Sequence, residues 1–359
     1  MTRPRVDAAA AGSIRRALNR WYDRHRRQLP WRRAKPDPYR VLVSETMLQQ
    51  TQVATVVGYF DRFVKEFPSV ATLAAADERQ VLRLWQGLGY YRRARHLHQA
   101  ARRIVADFDG RIPSEPATLL SLPGVGRYTA GAVASIAFGR QEPVLDGNVS
   151  RVLARWFAVR SPIDEPATIR ILWDLARSLV PHTKPGRFNE AVMELGALIC
   201  TAKGPRCNVC PVSTWCRARI AGQASMLPAR TSRASPRRVT HHVVAIRKRG
   251  RYVFEQRGGK GLWSHMWQLP TAEGLGDRPG PKAVGSWLMQ QRGLIASRPA
   301  ALGRFTHKTT HRTIGFVLWQ VLARRGRLPG QAVWRGLDQV DDLPLANPQR
   351  HALSILAGS

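Results

Sequence analysis

Acidic residues and lysine are scarce in this chain of 359 residues. Asp and Glu number 24 against 57 Lys and Arg, of which only 8 are Lys, so the net charge is +33 at pH 7. This excess of positive charge attracts polyanions, and nucleic acid is the simplest of them. Alanine is abundant as well, so part of the arginine excess reflects genomic composition. The charge therefore supports a nucleic-acid partner without proving one.

Long apolar runs are also missing. None reaches the roughly 18 residues that a membrane helix needs, which predicts a protein without a membrane span. Residues 1–16 are basic and lack the apolar centre of a secretory signal, so we expect a cytoplasmic protein. Apolar residues make up 44% of the chain. That fraction and the length together predict two or three folded domains.

Cysteine is absent except in one short stretch, which holds Cys200, Cys207, Cys210 and Cys216. In a reducing compartment such a cluster indicates metal ligands rather than disulfides. Four thiolates fit either zinc or an iron–sulfur cluster. Structural zinc sites usually have two short C-x2-C pairs, and only one is present here. The spacing therefore favours a [4Fe–4S] cluster, with zinc and unligated thiols as the alternatives.

Strand patterns are missing from residues 13 to about 200, where one amphipathic helix follows another. Asp37 and Asp77 are predicted helix caps. Residues 226–238 carry four Arg, two Pro and no acid, which predicts an unstructured linker. Beyond the linker, two strand patterns flank Arg249-Gly250, a hairpin signal. We expect a multidomain chain: an all-α domain at 1–225, a linker at 226–238 and an α+β domain at 239–359.

Leu122-Pro123-Gly124-Val125-Gly126 lies between two helical segments. Its glycines permit turns that other residues resist, and they let amide groups at the start of the next helix face a phosphate. This is a helix-hairpin-helix signature, for which we expect Leu122, Gly124, Val125 and Gly126 to contact DNA. The alternative is an ordinary turn between two helices.

The hairpin, Asp146 and the cysteines occur in the order found in the endonuclease III superfamily, and the chain resembles the MutY family of adenine DNA glycosylases within it. Further segments that carry the resemblance are Leu29–Trp31, Ser44–Val53, Gly87–Tyr91 and Leu145–Asn148. The resemblance implies a helix-hairpin-helix glycosylase domain with an iron–sulfur loop, followed by a Nudix-like domain. It implies base excision repair by a nucleoid-associated monomer. The substrate would be double-stranded DNA with adenine opposite 8-oxoguanine or guanine.

Two carboxylates suit glycosidic hydrolysis, in which one protonates the leaving group and the other stabilises the sugar. Glu45 lies mid-helix among apolar residues, where burial would raise its pKa. By resemblance, Glu45 protonates adenine N7 and later activates water, while Asp146 stabilises the sugar carbon. Asn148 joins this catalytic set. The alternatives are a solvated Glu45 and an Asp-Gly-Asn turn that caps a helix, a role that Asp146 or Asn148 can combine with catalysis.

Three further residues take roles from the resemblance. Tyr128 stands where strand-cleaving relatives carry the lysine that forms a Schiff base, so we expect base removal without efficient lyase activity. Tyr128 would instead form a hydrogen bond near Asp146. Gln50 and Tyr90 resemble residues that enter the duplex beside the mispair, Tyr90 as an aromatic wedge. Ordinary core or surface positions are the alternatives for all three.

The C-terminal half resembles a Nudix domain that has lost its metal site. The segment that should be dense in Glu, residues 286–294, has no carboxylate, so nucleotide hydrolysis should be absent. By resemblance, Thr310 and His311 read 8-oxoguanine, with Phe305-Thr306-His307 as a competing register. Rival functions are a thymine-mismatch or oxidised-pyrimidine glycosylase, and a non-catalytic iron–sulfur protein that binds DNA.

Overall fold

A computed structural model describes residues 8–232, 235–309, 311–326 and 332–358. The chain forms two compact units, Met1–Ala75 with His96–Ser232, and Ala76–Arg95 with Arg233–Ser359. The first unit differs from the predicted helical domain 1–225 in two ways: it extends to Ser232, and it lacks the segment Ala76–Arg95, which belongs to the second unit.

Helices dominate the chain up to residue 232, and no strand occurs among the described residues there. They are α1 Ala8–His25, α2 Pro38–Leu48, α3 Val53–Glu66, α4 Val70–Ala75, α5 Glu78–Trp85, α6 Arg92–Phe108, α7 Pro116–Leu120, α8 Arg127–Ala132, α9 Gly147–Trp156, α10 Pro166–Leu179, α11 Pro185–Leu198 and α12 Arg217–Ile220. None of the helices in the described part of the chain combines the length and apolarity that a bilayer crossing requires.

The helix caps follow the local sequence. Asp37 accepts hydrogen bonds from the backbone amides of Tyr39 and Arg40 at 2.9 and 3.4 Å, as predicted. Asp77 forms a reciprocal capping box with Gln80. After Ala132 the last turns of the α8 segment have π-helical geometry, at Val133–Ala137. Such π-turns often occur beside functional sites.

The apolar core of the first unit fixes the helices that surround Glu45. Leu18, Leu153, Leu172 and Leu195 from α1, α9, α10 and α11 are buried in one apolar cluster. Helix α2 is nearly all buried, with Val43 and Met47 inaccessible to solvent. Glu45, between those two residues, is thereby held at the centre of the unit.

The second unit is built on one mixed sheet with a helix on each face. Its elements are β1 Arg237–Lys248, β2 Arg251–Gln256, β3 Trp267–Gln268, β4 Thr271–Glu273, α13 Pro281–Arg292, β5 Ile295–Ala296, β6 Ala300–Lys308, β7 Arg312–Arg325, β8 Val333–Arg335 and α14 Asn347–Ala357. The order is β3-β2-β1-β7-β5, and β4, β8 and β6 pair with β1, β2 and β7. Strands β1 and β7 are parallel, from Arg237 opposite Arg312 to Arg247 opposite Leu322.

Alternation along β1 distributes its side chains between two cores. Val243 and Ala245 pack with Leu356 of α14, whereas Val244 and Ile246 pack with Leu288 of α13. The predicted Arg249-Gly250 hairpin is confirmed, since both residues have positive φ angles, 50° and 76°.

The segment predicted as a linker is partly fixed in place. Leu227 is buried, and its carbonyl accepts a hydrogen bond from Arg155 Nε at 2.8 Å. Thr231 donates to Asp164 from its amide and its hydroxyl, at 3.0 and 2.6 Å. Strand β1 begins at Arg237, within the predicted linker, because its amide donates to the carbonyl of His311.

Candidate active site and cysteine loop

A cavity of about 640 Å³ lies in the first unit, between α2, α8, the start of α9 and α11. Its lining includes these predicted site residues: Glu45, Gln50, Gly124, Gly126, Tyr128, Asp146 and Asn148. Residues from distant parts of the sequence therefore meet at one cavity large enough for a purine base.

Glu45 is a buried carboxylic acid that lines this cavity. It is 5% exposed, and burial raises its pKa to about 7. The Tyr128 hydroxyl donates a hydrogen bond to Oε2, which lowers the pKa, whereas the nearby Asp146 charge raises it. At neutral pH this side chain is poised to give and to take a proton.

Tyr128 forms its hydrogen bond close to Asp146, and the acceptor is Glu45. The hydroxyl also lies 3.3 Å from Met193 Sδ. Burial and the two carboxylates raise the pKa of Tyr128 well above its ordinary value, so the phenol stays protonated and remains a donor.

Asp146 is the N-cap of α9, as the alternative interpretation of Asp-Gly-Asn anticipated. Oδ1 accepts from the amide of Val149 at 2.7 Å, and Oδ2 accepts from Asn148 Nδ2 at 3.2 Å. Burial raises the pKa of Asp146, and these hydrogen bonds oppose the rise. The carboxylate is thus held in one orientation at the cavity wall.

Asn148 and Arg151 connect this carboxylate to the cysteine loop. Arg151 donates through Nη2 to Asn148 Oδ1 and to the Gly196 carbonyl, both at 2.7 Å. Its Nε donates to the Cys200 carbonyl at 2.7 Å. The guanidinium therefore bridges the Asp146–Asn148 pair and the first cysteine.

Sequence reasoning missed a group of charged residues that also line the cavity. Arg32 lies between Glu190, at 3.4 Å, and Glu194, at 3.0 Å. Arg27 also pairs with Glu194, at 2.7 Å. Burial raises the pKa of Glu190, whereas the hydrogen bonds from Arg27 and Arg32 lower that of Glu194 to about 2. The four-residue spacing of the two glutamates, one helical turn, was the available signal.

The predicted hairpin joins α7 to α8. Gly124 has φ +74°, and a Cβ there would lie 2.5 Å from His96 Cβ, so only glycine fits. The side chains of Leu122 and Val125 are buried and anchor the turn instead of lining the cavity. Gly126 is the N-cap of α8 and provides no side-chain cap, which leaves its first amides to other acceptors.

The four cysteines surround a second cavity, together with Arg155. Arg155 is 1% exposed, and its Nη1 donates to Cys200 Sγ at 3.2 Å. Burial raises the pKa of Cys210 to about 12, and the neighbouring thiols add to the rise. Four thiolates here would need bound cations. Among the described residues, no set of three His, Cys, Asp or Glu side chains is arranged around a single metal ion.

Tyr90 lies in the second unit, on a loop with φ +51°. Its side chain is 47% exposed, and the Arg93 guanidinium lies 5.3 Å from its ring. The loop thus presents an aromatic face to solvent, which is compatible with the wedge role.

The predicted lesion reader follows β6. Thr310 lies outside the described residues, whereas His311 is exposed. In the competing register, Phe305 stacks on Phe316 at 4.9 Å and contacts His351, so its ring belongs to the core. Helix α13, which overlaps the segment expected to lack a metal site, has no carboxylate.

The comparisons with known proteins find two family matches, one in each half of the chain. Residues 43–178 match the family described as HhH-GPD superfamily base excision DNA repair protein, and residues 242–354 match the NUDIX domain. A solved structure entitled thermostable thymine-DNA glycosylase superposes with a TM-score of 0.55 and 30% identity, over 60% of this chain and 100% of that one.

Curated relatives give a narrower assignment. An adenine DNA glycosylase of Homo sapiens is 48% identical over 221 residues, or 59% of this chain and 40% of the human protein. The matches thus span less than half of the human, rat and mouse relatives. The adenine DNA glycosylase of Buchnera aphidicola subsp. Baizongia pistaciae (strain Bp) is 31% identical over 335 residues. Because that match covers 92% of this chain and 93% of the relative, this chain belongs to the family of adenine DNA glycosylases.

Proposed function

We propose that this protein removes adenine from double-stranded DNA in base excision repair, by hydrolysing the N-glycosidic bond of adenine opposite 8-oxoguanine or guanine. One observation carries the proposal: Glu45, with a pKa of about 7, and the capped carboxylate of Asp146 face the same cavity. The proposal includes action as a monomer on chromosomal DNA in the cytoplasm, and the net charge of +33 supports the DNA partner.

The cavity residues suggest the order of steps. DNA glycosylases rotate the target base out of the duplex into a pocket. Protonated Glu45 gives its proton to adenine N7, so the glycosidic bond breaks with its electron pair on adenine. Asp146 stabilises the positive charge on the sugar. Glu45, now ionised, accepts a proton from the water that attacks the sugar carbon, which restores its starting state.

Lyase activity is not part of the proposal. A Schiff base needs an amine, and position 128 carries a phenol whose pKa is raised, so it is a poor nucleophile as well. We propose that the product is an abasic site in an uncut strand.

We also propose that the four cysteines hold a [4Fe–4S] cluster. Structural zinc sites usually have two short C-x2-C pairs, and these cysteines include only the pair Cys207 and Cys210. The longer outer gaps suit a cluster in which each thiolate would bind a different iron. Such a cluster would hold the basic loop that contains Arg206 and Arg219 in one conformation. Equal amounts of iron and sulfide would support it, and stoichiometric zinc would exclude it.

Gln50, Tyr90, Thr310, His311 and the hairpin residues complete the proposed DNA surface. Gln50 lines the cavity with φ +57°, a conformation that turns the chain at the end of α2. Hairpin amides would bind backbone phosphates, Tyr90 would wedge into the stack, and Thr310 and His311 would read the opposite base.

Single-turnover base release tests the proposal. Duplexes would carry one adenine opposite 8-oxoguanine or guanine, with thymine opposite guanine and an oxidised pyrimidine as controls. Strand breaks that occur only after alkali, and only at adenine, are expected. Release of thymine or an oxidised pyrimidine instead would move the protein to a rival class of glycosylase.

A further inference from the structure

The loop that carries Tyr90 is firmly built. Trp85 Nε1 and Arg93 Nη2 donate to the Gly89 carbonyl at 3.1 and 3.2 Å. The amide of Gly87 is 3.3 Å from the Tyr91 hydroxyl. These bonds hold the turn, so Tyr90 moves with the helices on either side of it, α5 and α6.

Both flanking helices contact one segment of the β-sheet unit, Ser264–Trp267. Arg95 Nη2, at the start of α6, donates to Ser264 Oγ at 2.7 Å. From α5, Arg79 lies 5.9 Å from the Trp267 ring, and Glu78 lies 3.9 Å from His265 Nδ1. The position of the Tyr90 loop therefore depends on contacts with the C-terminal half of the sequence. Arg95 and Ser264 are more than 160 residues apart along the chain.

This segment belongs to a strained turn. Trp263 and His265 have φ angles of +56° and +65°, which non-glycine residues rarely adopt. Arg257 fixes the turn through a backbone pair: its amide donates to Met266 at 2.9 Å, and its carbonyl accepts from His265 at 3.2 Å. Such conformations persist only where the surroundings enforce them, and they are concentrated at functional sites.

The other side of the same turn touches the strands that lead to the proposed lesion reader. The Trp263 ring lies 5.9 Å from His307 on β6 and 6.1 Å from Phe316 on β7. His307 is two residues before Thr309, whose hydroxyl and amide close the β6–β7 turn against Arg312. His307 thus places the end of β6 in ring contact with Trp263.

We propose that Trp263 and Ser264 are positioning residues that couple recognition of 8-oxoguanine to insertion of Tyr90. The path runs from the β6–β7 turn through His307 and Trp263 to Ser264, then through Arg95 to the Tyr90 loop. The inference rests on the proposed function and adds a source of specificity to it. The base opposite the target adenine determines how well Tyr90 is positioned for insertion into the duplex.

The test compares release of adenine opposite 8-oxoguanine with release opposite guanine, as a ratio of single-turnover rates. Ser264→Ala removes the acceptor for Arg95, and Arg95→Met removes the donor. Each is expected to lower the ratio about tenfold, the size of one hydrogen bond to a charged group. Ser297→Ala is the matched control, since its hydroxyl accepts from Leu322 on the same sheet away from this path.

A double-mutant cycle with Tyr90→Ala separates coupling from a general structural defect. If Ser264 acts through Tyr90, Ser264→Ala changes the ratio little once Tyr90 is Ala. An unchanged ratio in either single variant, an equal loss of both rates, or additive effects would overturn the coupling. If the wild-type protein releases adenine from neither duplex, the proposed function fails and the coupling fails with it.

Discussion

Removal of the Tyr128 hydroxyl tests how the cavity tunes Glu45. That hydroxyl donates to the Glu45 carboxylate and favours its ionised form, so Tyr128→Phe should raise the pKa of Glu45 above its value of about 7. A hydrogen bond to a charged group contributes about 1.5–3 kcal/mol. At 1.36 kcal/mol per unit, the rise is about 1–2 pKa units.

The assay is single-turnover adenine release as a function of pH. Since the protonated acid is the active form, the wild-type rate should fall as pH rises through about 7. In Tyr128→Phe this alkaline limb should move upward by about 1–2 pH units. Tyr39→Phe is the control, because its buried hydroxyl donates to the Phe67 carbonyl at 2.8 Å and not to Glu45. An unmoved limb, or one shifted to lower pH, would refute the reasoning.

Three further variants test separate parts of the site. Asp146→Asn keeps a good helix cap, so its melting temperature should change little while base release falls about a hundredfold or more; a large loss of stability would contradict this. Gly124→Ala forces a Cβ against His96 and should cost about 1–3 kcal/mol and weaken DNA binding, measured by urea unfolding and titration, whereas the control Gly285→Ala, inside α13, should raise stability by up to about 1 kcal/mol and leave DNA binding unchanged. Arg151→Met leaves the buried carbonyls of Gly196 and Cys200, and Asn148 Oδ1, without their donor and should cost about 2–5 kcal/mol, at about 1–3 kcal/mol for each buried acceptor; full stability in urea would show that the bridge is dispensable.

Local chemistry made much of the fold predictable. Asp37 is followed by a proline and accepts hydrogen bonds from amides two and three residues later, so this helix cap depends only on neighbouring residues in the sequence. The four cysteines lie within 17 residues and meet at one cavity for the same reason. The Arg249-Gly250 hairpin is equally local.

Long-range contacts were not predictable in this way. Tyr128 and Glu45 are 83 residues apart, and nothing near either residue shows that they share a proton. The ion pairs of Arg27 and Arg32 with Glu194 join residues more than 160 positions apart. The placement of Ala76–Arg95 with the second unit depends on side chains such as Ser264 and Trp267, whose partners only the folded chain brings together.

The most direct test of the account is Glu45→Gln with a duplex that carries adenine opposite 8-oxoguanine. The amide has the same shape but cannot give or take the proton, so affinity for the duplex should be kept while single-turnover release falls about 10²–10⁴-fold. Release of adenine by Glu45→Gln at the wild-type rate would contradict the account, because the buried carboxylate of Glu45 would then have no part in breaking the N-glycosidic bond.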